Sequence, residues 1–397
     1  MKIALIGGHV SDHPEPRAAA YPGDPAARVL PLARALGELG HQVSICFRSG
    51  SARLAEVAAG GDVSVELIQA GPAEPFGPNR LPHIGTLARR LETIWRRSRP
   101  DVIHAQDWMG GLAALAAARD LDIPVVQTFT SLGSARRVGQ RDRTRADQAR
   151  LETGIGRSAA AVLAGCTEDV SALVRRGLPR GSIKIVPAGV DTSAFRPQDQ
   201  EAPQTGRPRL LMFAPLAQRQ AIAATLQALA RVGDAELIIS TGLDESQLRS
   251  TPGYRELIKL AGALRLRDKL TFAGVVDRAG APALIRSASV VLSPTGADPF
   301  AMVAIEAMAC GVPVIAAPAG AQRDAVIHGT TGYLVQPSEP ESLTRRIRQL
   351  LASPMLREAC GIAAATRARA RYPWERVAGE TLAVYQSLPA TARAAAA

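Results

Sequence analysis

Short apolar runs alternate with amphipathic stretches along this chain, and the alternation occurs twice. In the first half the runs of strand length are Lys2–Ile6, Gln42–Phe47, Asp101–His104, Pro124–Phe129, Ala160–Leu163 and Ser182–Val186. Between them Ala26–Leu39, stopped by Gly40, and Trp108–Ala118 carry helical spacing. In the second half the runs are Arg209–Ala214, Ala235–Ser240, Leu270–Ala273, Ser289–Leu292 and Val314–Ala316, with helices at Ser342–Ala352 and Pro354–Ala370. Such alternation predicts parallel strands joined by crossover helices. Phe195–Pro208 breaks the pattern, with Pro197, Pro203 and Pro208 set among Gln, Asp and Glu, and reads as a linker. The expectation is an α/β chain of two Rossmann-like domains whose parallel sheets face a central cleft, with ligands at the carboxyl ends of the strands.

The length of 397 residues fits two domains, each large enough for its own core. Lys and Arg number 47 against 36 Asp and Glu, a formal charge of +11. That excess fits anionic partners such as nucleotides, phosphorylated acceptors or anionic lipid, or else a solvated Arg-rich surface. Cys46, Cys166, Cys310 and Cys360 are scattered, with no CxxC pair and no Cys/His cluster. Neither a zinc site nor a disulfide framework is indicated, and a reducing cytoplasm is the simplest setting. The apolar run at the start, Met1 to Gly8, is too short for a signal peptide or a spanning helix. A cytoplasmic protein is expected, peripheral contact with the inner membrane face being the alternative.

The candidate chemistry centres on Asp298 and Glu306. Asp298 precedes a predicted helix, and Glu306 lies two turns into it. In a nucleotide-sugar site one acid can hold hydroxyls of the transferred sugar and the other the ribose, while the diphosphate faces the positive end of the helix. Asp298 has a second reading, as an N-cap followed by Pro299 at the first helical position, with Gly311 and Pro313 ending the helix. Glu306 is harder to assign to structure. Met302 to Cys310 is otherwise uncharged and predicted buried, and a buried carboxylate needs partners.

The run from Leu292 through Asp298-Pro299-Phe300 to Glu306-Ala307-Met308-Ala309-Cys310-Gly311-Val312-Pro313-Val314 resembles the Glu-x7-Glu signature of the family 4 retaining glycosyltransferases. Four further segments resemble that family's motifs in order: Pro100–Ala105, Val186–Asp191, His328–Val335 and Tyr372–Val377. The nearest branch contains the inositol-phosphate and sucrose-phosphate types. The resemblance covers nearly the whole chain and implies the GT-B fold. It implies an acceptor-side domain over 1–199, a donor-binding domain over 200–370, and a last helix in 371–397 that crosses back to the first. It also implies a nucleotide-diphosphate sugar as co-substrate with no other cofactor, no metal, and a phosphorylated or otherwise anionic acceptor. Asp298, Glu306, Thr130 and His104 are the implied catalytic positions. Phe300, Ala301, Met302, Arg219, Gln220 and Pro215 are the further donor contacts.

Several of these positions depart from the family. Pro215 stands where an Arg, and Gln220 where a Lys, would bind the diphosphate. Neutralising the leaving diphosphate is a large part of such catalysis, and losing one donor of this kind costs on the order of 10²–10³ in rate. Arg219 lies beside the lost Lys, although adjacent residues on an element seldom face the same way. Thr130 replaces the acceptor-side His, Asp298 replaces a Glu, Ala301 follows Phe300 in place of a Gly, and Tyr21-Pro22-Gly23-Asp24 replaces a Gly-Gly loop. The alternative to an active transferase is therefore an impaired homologue that binds ligand or serves a partner transferase. A GT-B phosphorylase or an epimerase shares the architecture but lacks supporting residues.

Two other features remain open. His104 ends a strand, where ligands bind in this fold, or it is hydrogen-bonded there for structure. Arg136, Arg137, Arg141, Arg143, Arg145 and Arg150 form a solvated surface loop or a wall for phosphate or anionic membrane. Nucleic acid is not expected, because no interleaved aromatics accompany the charge. Gly7-Gly8 lacks the remaining glycines of a dinucleotide fingerprint.

Overall fold

The computed structural model describes residues 1–7, 26–48, 63–71, 81–130, 132, 143–197, 206–294, 298, 300–337 and 339–388. The Tyr21–Asp24 loop and Arg136, Arg137 and Arg141 lie outside these residues. The described residues form two compact units, one of 1–189 with 374–388 and the other of 190–373. The chain therefore passes from the first unit to the second ten residues before the expected 199/200 boundary. Phe195, read as linker, is 1% exposed and belongs to the second unit.

The first unit holds seven parallel strands: β1 (Lys2–Ile6), β2 (Gln42–Arg48), β3 (Val63–Ile68), β4 (Val102–Ala105), β5 (Val125–Thr128), β6 (Ala161–Ala164) and β7 (Ile183–Ile185). Their order is β3-β2-β1-β4-β5-β6-β7. Every residue of β4, β5 and β6 is buried, as expected of interior strands covered by helices on both faces. The helix Trp374–Gln386 adds Trp374, Val377 and Tyr385 to the same core as Leu32 and Leu36 of the helix Ala26–Glu38.

The second unit holds six parallel strands: β8 (Arg209–Phe213), β9 (Glu236–Ser240), β10 (Leu270–Ala273), β11 (Val290–Ser293), β12 (Val314–Ala316) and β13 (Gly332–Leu334). The order is β10-β9-β8-β11-β12-β13. In both sheets the winding reverses between two neighbours that are not consecutive, β1 and β4 in one, β8 and β11 in the other. Those reversals are the places where ligands bind in doubly wound sheets.

One close approach holds the site helix of the second unit in place. A Cβ on Gly361, in the helix Pro354–Arg371, would lie 2.2 Å from the Gly311 carbonyl oxygen, just past the end of the helix Met302–Ala309. Gly361→Ala is expected to destabilise the second unit by about 1–3 kcal/mol, because overpacking against backbone outweighs the better helix propensity. A thermal melt unchanged from the wild type would show that the two helices can separate freely.

Candidate active site

In the second unit, Pro215 follows β8 and Asp298 follows β11, so both lie at the carboxyl ends of the two strands where the winding reverses. Pro215 is exposed and caps a 3-10 turn, Leu216–Gln218, that leads into the helix Arg219–Leu229. Gln220 is exposed in the first turn of that helix. The Arg219 side chain is 57% exposed and its Nε is 3.8 Å from Glu256 Oε2, itself 70% exposed. An ion pair that open holds the side chain only weakly.

The helix predicted to begin at Pro299 begins at Met302 and runs to Ala309. Ala301 takes the N-cap position in the left-handed region, φ 54° and ψ 32°. Only glycine adopts this conformation without steric cost, which is the physical reason a Gly suits this position. Asp298 is thus not the N-cap residue, but its carboxylate does the capping from three residues upstream. Oδ2 accepts from the Val303 N–H at 3.0 Å and Oδ1 from the Phe300 N–H at 3.3 Å. A charge-assisted bond at the positive end of a helix satisfies an otherwise orphaned donor. Phe300, Ala301 and Met302 are all buried. Gly311, φ 75°, ends the helix as its sequence predicted, with Val312 N–H returning to the Ala307 carbonyl at 2.9 Å.

Glu306 sits one turn into this helix rather than two, and is 0% exposed. Its neighbours on the helix are all apolar and buried. The Arg278 Nη2 lies 3.0 Å from Glu306 Oε1, yet neither carboxylate oxygen accepts a hydrogen bond among the described residues. The pair is close in distance but not aligned for hydrogen bonding. Burial pushes the Glu306 carboxyl well above its usual range. The upward shift stands despite the Arg278 guanidinium at 3.0 Å.

Arg278 is the site residue that nothing in the sequence singles out. It lies in the loop after β10, with no motif or periodicity around it. Asp277 fixes the start of the next helix, Ala281–Arg286, by accepting from the Gly280 N–H at 2.7 Å. The Arg278 guanidinium lies 5.6 Å from the centroid of the Phe195 ring. It also bears on Asp191, from the Val186–Asp191 motif. Burial alone would raise the Asp191 carboxyl, but hydrogen bonds from Ser193 and Ala194, with the Arg278 charge, bring it below its usual range. One arginine thus faces two acids from separate motifs.

In the first unit, His104 on β4 is 2% exposed. The Tyr385 hydroxyl lies 2.7 Å from Nδ1 and the Thr128 hydroxyl 2.7 Å from Nε2. A hydroxyl can donate or accept, so a neutral ring is satisfied at both nitrogens. Burial, with the nearby Arg28 charge adding to it, lowers the ring to about 3. Between pH 6.5 and that value the unfolded chain takes up a proton here that the folded chain does not, so this site costs stability as pH falls. The geometry is that of a hydrogen-bonded strand-terminus histidine. Tyr385→Phe is expected to cost about 1–2 kcal/mol by stripping Nδ1 of its best partner, read as a lowered melting temperature at neutral pH. An unchanged melt would mean that Gln106, 3.4 Å from Nδ1, takes over.

Thr130 follows β5 and is partly exposed. A pocket at the carboxyl ends of β1, β2 and β4 is lined by Gly7, Cys46, Arg48, His83, Asp107 and Met109. Asp107 caps the helix Trp108–Ala118, accepting from the Gly110 N–H at 2.6 Å. Arg143, Arg145 and Arg150 share the helix Arg143–Ser158, where Arg150 is 84% exposed and 3.7 Å from Asp147. The structure therefore gathers Asp298, Phe300, Ala301, Met302 and Glu306 with Arg278 in one unit, and places Thr130 and His104 in the other. Among the described residues, no group of three His, Cys, Asp or Glu side chains is placed to hold a metal ion.

Residues 23–189 match the model of the Glycosyl transferase 4-like domain, and residues 196–367 that of Glycosyl transferases group 1. The D-inositol 3-phosphate glycosyltransferase of Kribbella flavida is 30% identical over 98% of this chain and 96% of its own length. The chain belongs to family 4 of the glycosyltransferases. A second relative of that description, from Xylanimonas cellulosilytica, is 30% identical over 97% of this chain and 96% of its own. Sucrose-phosphate synthase of Thermosynechococcus elongatus shares the fold of this glycosyltransferase, with a TM-score of 0.82, 24% identity, and coverage of 98% and 99% of the two chains. HepE of Anabaena, solved with UDP and glucose, superposes with a TM-score of 0.76 at 20% identity over 98% and 100%. The fold is GT-B, each unit being one of its two Rossmann-like halves. Among the described residues of this glycosyltransferase, no helix is long and apolar enough to cross a membrane.

Proposed function

We propose that this glycosyltransferase moves a sugar from a nucleoside-diphosphate sugar to an anionic acceptor with retention of configuration. The observation that carries the reading is Glu306, a buried carboxylate whose oxygens accept no hydrogen bond among the described residues, one turn inside a helix at the sheet's winding reversal. Buried acceptors of this kind call for a partner. Vicinal ribose hydroxyls supply two donors in one plane. With the ribose on Glu306, the diphosphate meets the N-terminal turn at Met302, where the helix dipole favours negative charge. Asp298 accepts from Phe300 and Val303, which fixes its carboxylate at the helix start where hydroxyls of the transferred sugar would meet it.

Retention follows the family resemblance. The relatives named for D-inositol 3-phosphate point the acceptor towards a phosphorylated polyol, and the HepE complexes point the donor towards a uridine nucleotide. The acceptor falls to the first unit, near Thr130. The alternative, an impaired partner subunit, is not favoured by relatives that match over almost their entire length.

The test is a panel of UDP-, GDP- and ADP-sugars offered with inositol phosphates and sugar phosphates. Release of one nucleoside diphosphate, with a product whose anomeric coupling matches the donor, is the expected result. No release from any donor, or a product of inverted configuration, would defeat the reading.

A further inference from the structure

A departing nucleoside diphosphate needs a cation, and the two positions where one is expected hold Pro215 and Gln220. Arg219 adjoins them, but its side chain is open to solvent and directed to Glu256 on another helix. The cation that the fold places against the donor-side carboxylate is Arg278. We propose that Arg278 supplies the missing charge to the donor's diphosphate, exchanging Glu306 for phosphate when the donor binds. This rests on the reading of Glu306 as the ribose ligand.

Three features support the exchange. Arg278 Nη2 is 3.0 Å from Glu306 Oε1, so a ribose seated on Glu306 puts its own phosphate within the sweep of that side chain. The existing pair has no aligned hydrogen bond, so the exchange breaks none between the two groups. The guanidinium is a planar fork that matches phosphate oxygens, and the Phe195 ring backs it without competing for its N–H donors. Without donor, Arg278 Nη2 faces Glu306 Oε1 in an unaligned pair. With donor, ribose hydroxyls take Glu306 and phosphate oxygens take Arg278, and both groups gain aligned hydrogen bonds.

Calorimetry of a nucleoside diphosphate against its own nucleoside separates this role from simple support of the pocket. UDP, GDP and ADP are each titrated with uridine, guanosine and adenosine alongside. Arg278→Gln is expected to weaken the bound diphosphate about 10- to 100-fold while the nucleoside changes less than about twofold. Arg278→Lys keeps a charge beside Glu306, and hence the fold, and should fall between wild type and Gln. If the Gln variant does not fold, the Lys variant carries the comparison. Equal weakening of diphosphate and nucleoside, or an unchanged diphosphate, would overturn the assignment while leaving the donor site intact. A wild type that binds no nucleoside diphosphate would overturn the donor reading itself, and this inference with it.

Discussion

Glu306→Met is expected to unfold at a higher temperature than the wild type and to bind nucleoside diphosphate at least about tenfold more weakly. The two effects have opposite signs because the residue serves function against the fold. Glu306 is fully buried in an apolar helix without a hydrogen bond to either oxygen among the described residues. Methionine fills the same space without the desolvation cost, and Arg278, at 28% exposure, can rehydrate when its partner is removed. Replacing a whole buried ion pair with apolar volume often stabilises by about 1–4 kcal/mol, and with Arg278 left to solvent the expected gain is about 1–2 kcal/mol, or about 2–8 °C for a unit of this size.

The gain should depend on pH. The folded-state value of Glu306 lies above the usual 4.5, so its protonated form stabilises the native state. That contribution is complete below about 4.5 and is lost as pH rises through the native value. The difference between variant and wild type is therefore small in acid, grows as pH rises past about 4.5, and levels off above the native value. Melting curves across pH check the first effect and calorimetry the second. A lowered melting temperature with unchanged binding would make Glu306 a structural brace paired with Arg278.

Installing the missing cations, Pro215→Arg with Gln220→Lys, should raise turnover on the order of tenfold to a hundredfold. Both positions are exposed and tolerate the change sterically. Pro215 has φ −62° and ψ 150°, open to any residue, and losing its ring costs about 0.4–1 kcal/mol. A lysine in the first turn of Arg219–Leu229 opposes the helix dipole by about 0.3–1 kcal/mol. The gain should be larger when Arg278 is already Gln, because the new pair then replaces charge rather than adding to it. Steady-state kinetics on the four combinations check this, and no gain in either background would show that charge at these positions does not reach the leaving group.

The strands buried on both faces were legible because each is an uninterrupted apolar run, as at Val102–Ala105 and Val290–Ser293. The edges were not. Val63–Ile68 interleaves Ser64 and Glu66 on a half-exposed edge, and its hydrophobic signal falls below that of its neighbours. Gly332–Leu334 is three residues long and was visible only as part of a motif. Asp298 and Glu306 stood out by charge in an apolar stretch. The start of their helix was misplaced, because the left-handed turn at Ala301 is a backbone choice that an alanine does not announce. Arg278 was invisible for a different reason: a loop arginine in a chain with 47 basic residues carries no local signal, and only the tertiary fold brings it to Glu306.

The helix Trp374–Gln386 completes the core of the first unit, yet it is made after the second unit. On the ribosome the first unit emerges early with a gap where Trp374, Val377 and Tyr385 belong, and His104 waits without its tyrosine. Among the described residues the second unit is a single continuous segment, so it can close its core before the first unit does. Synthesis and consolidation can thus run in opposite order, against the usual domain-by-domain sequence. A chain that stops short of Trp374 leaves its earlier-made unit open, with apolar surface on display for chaperones and proteases. The helix Trp374–Gln386 therefore acts as a proofreading mark on the unit made long before it.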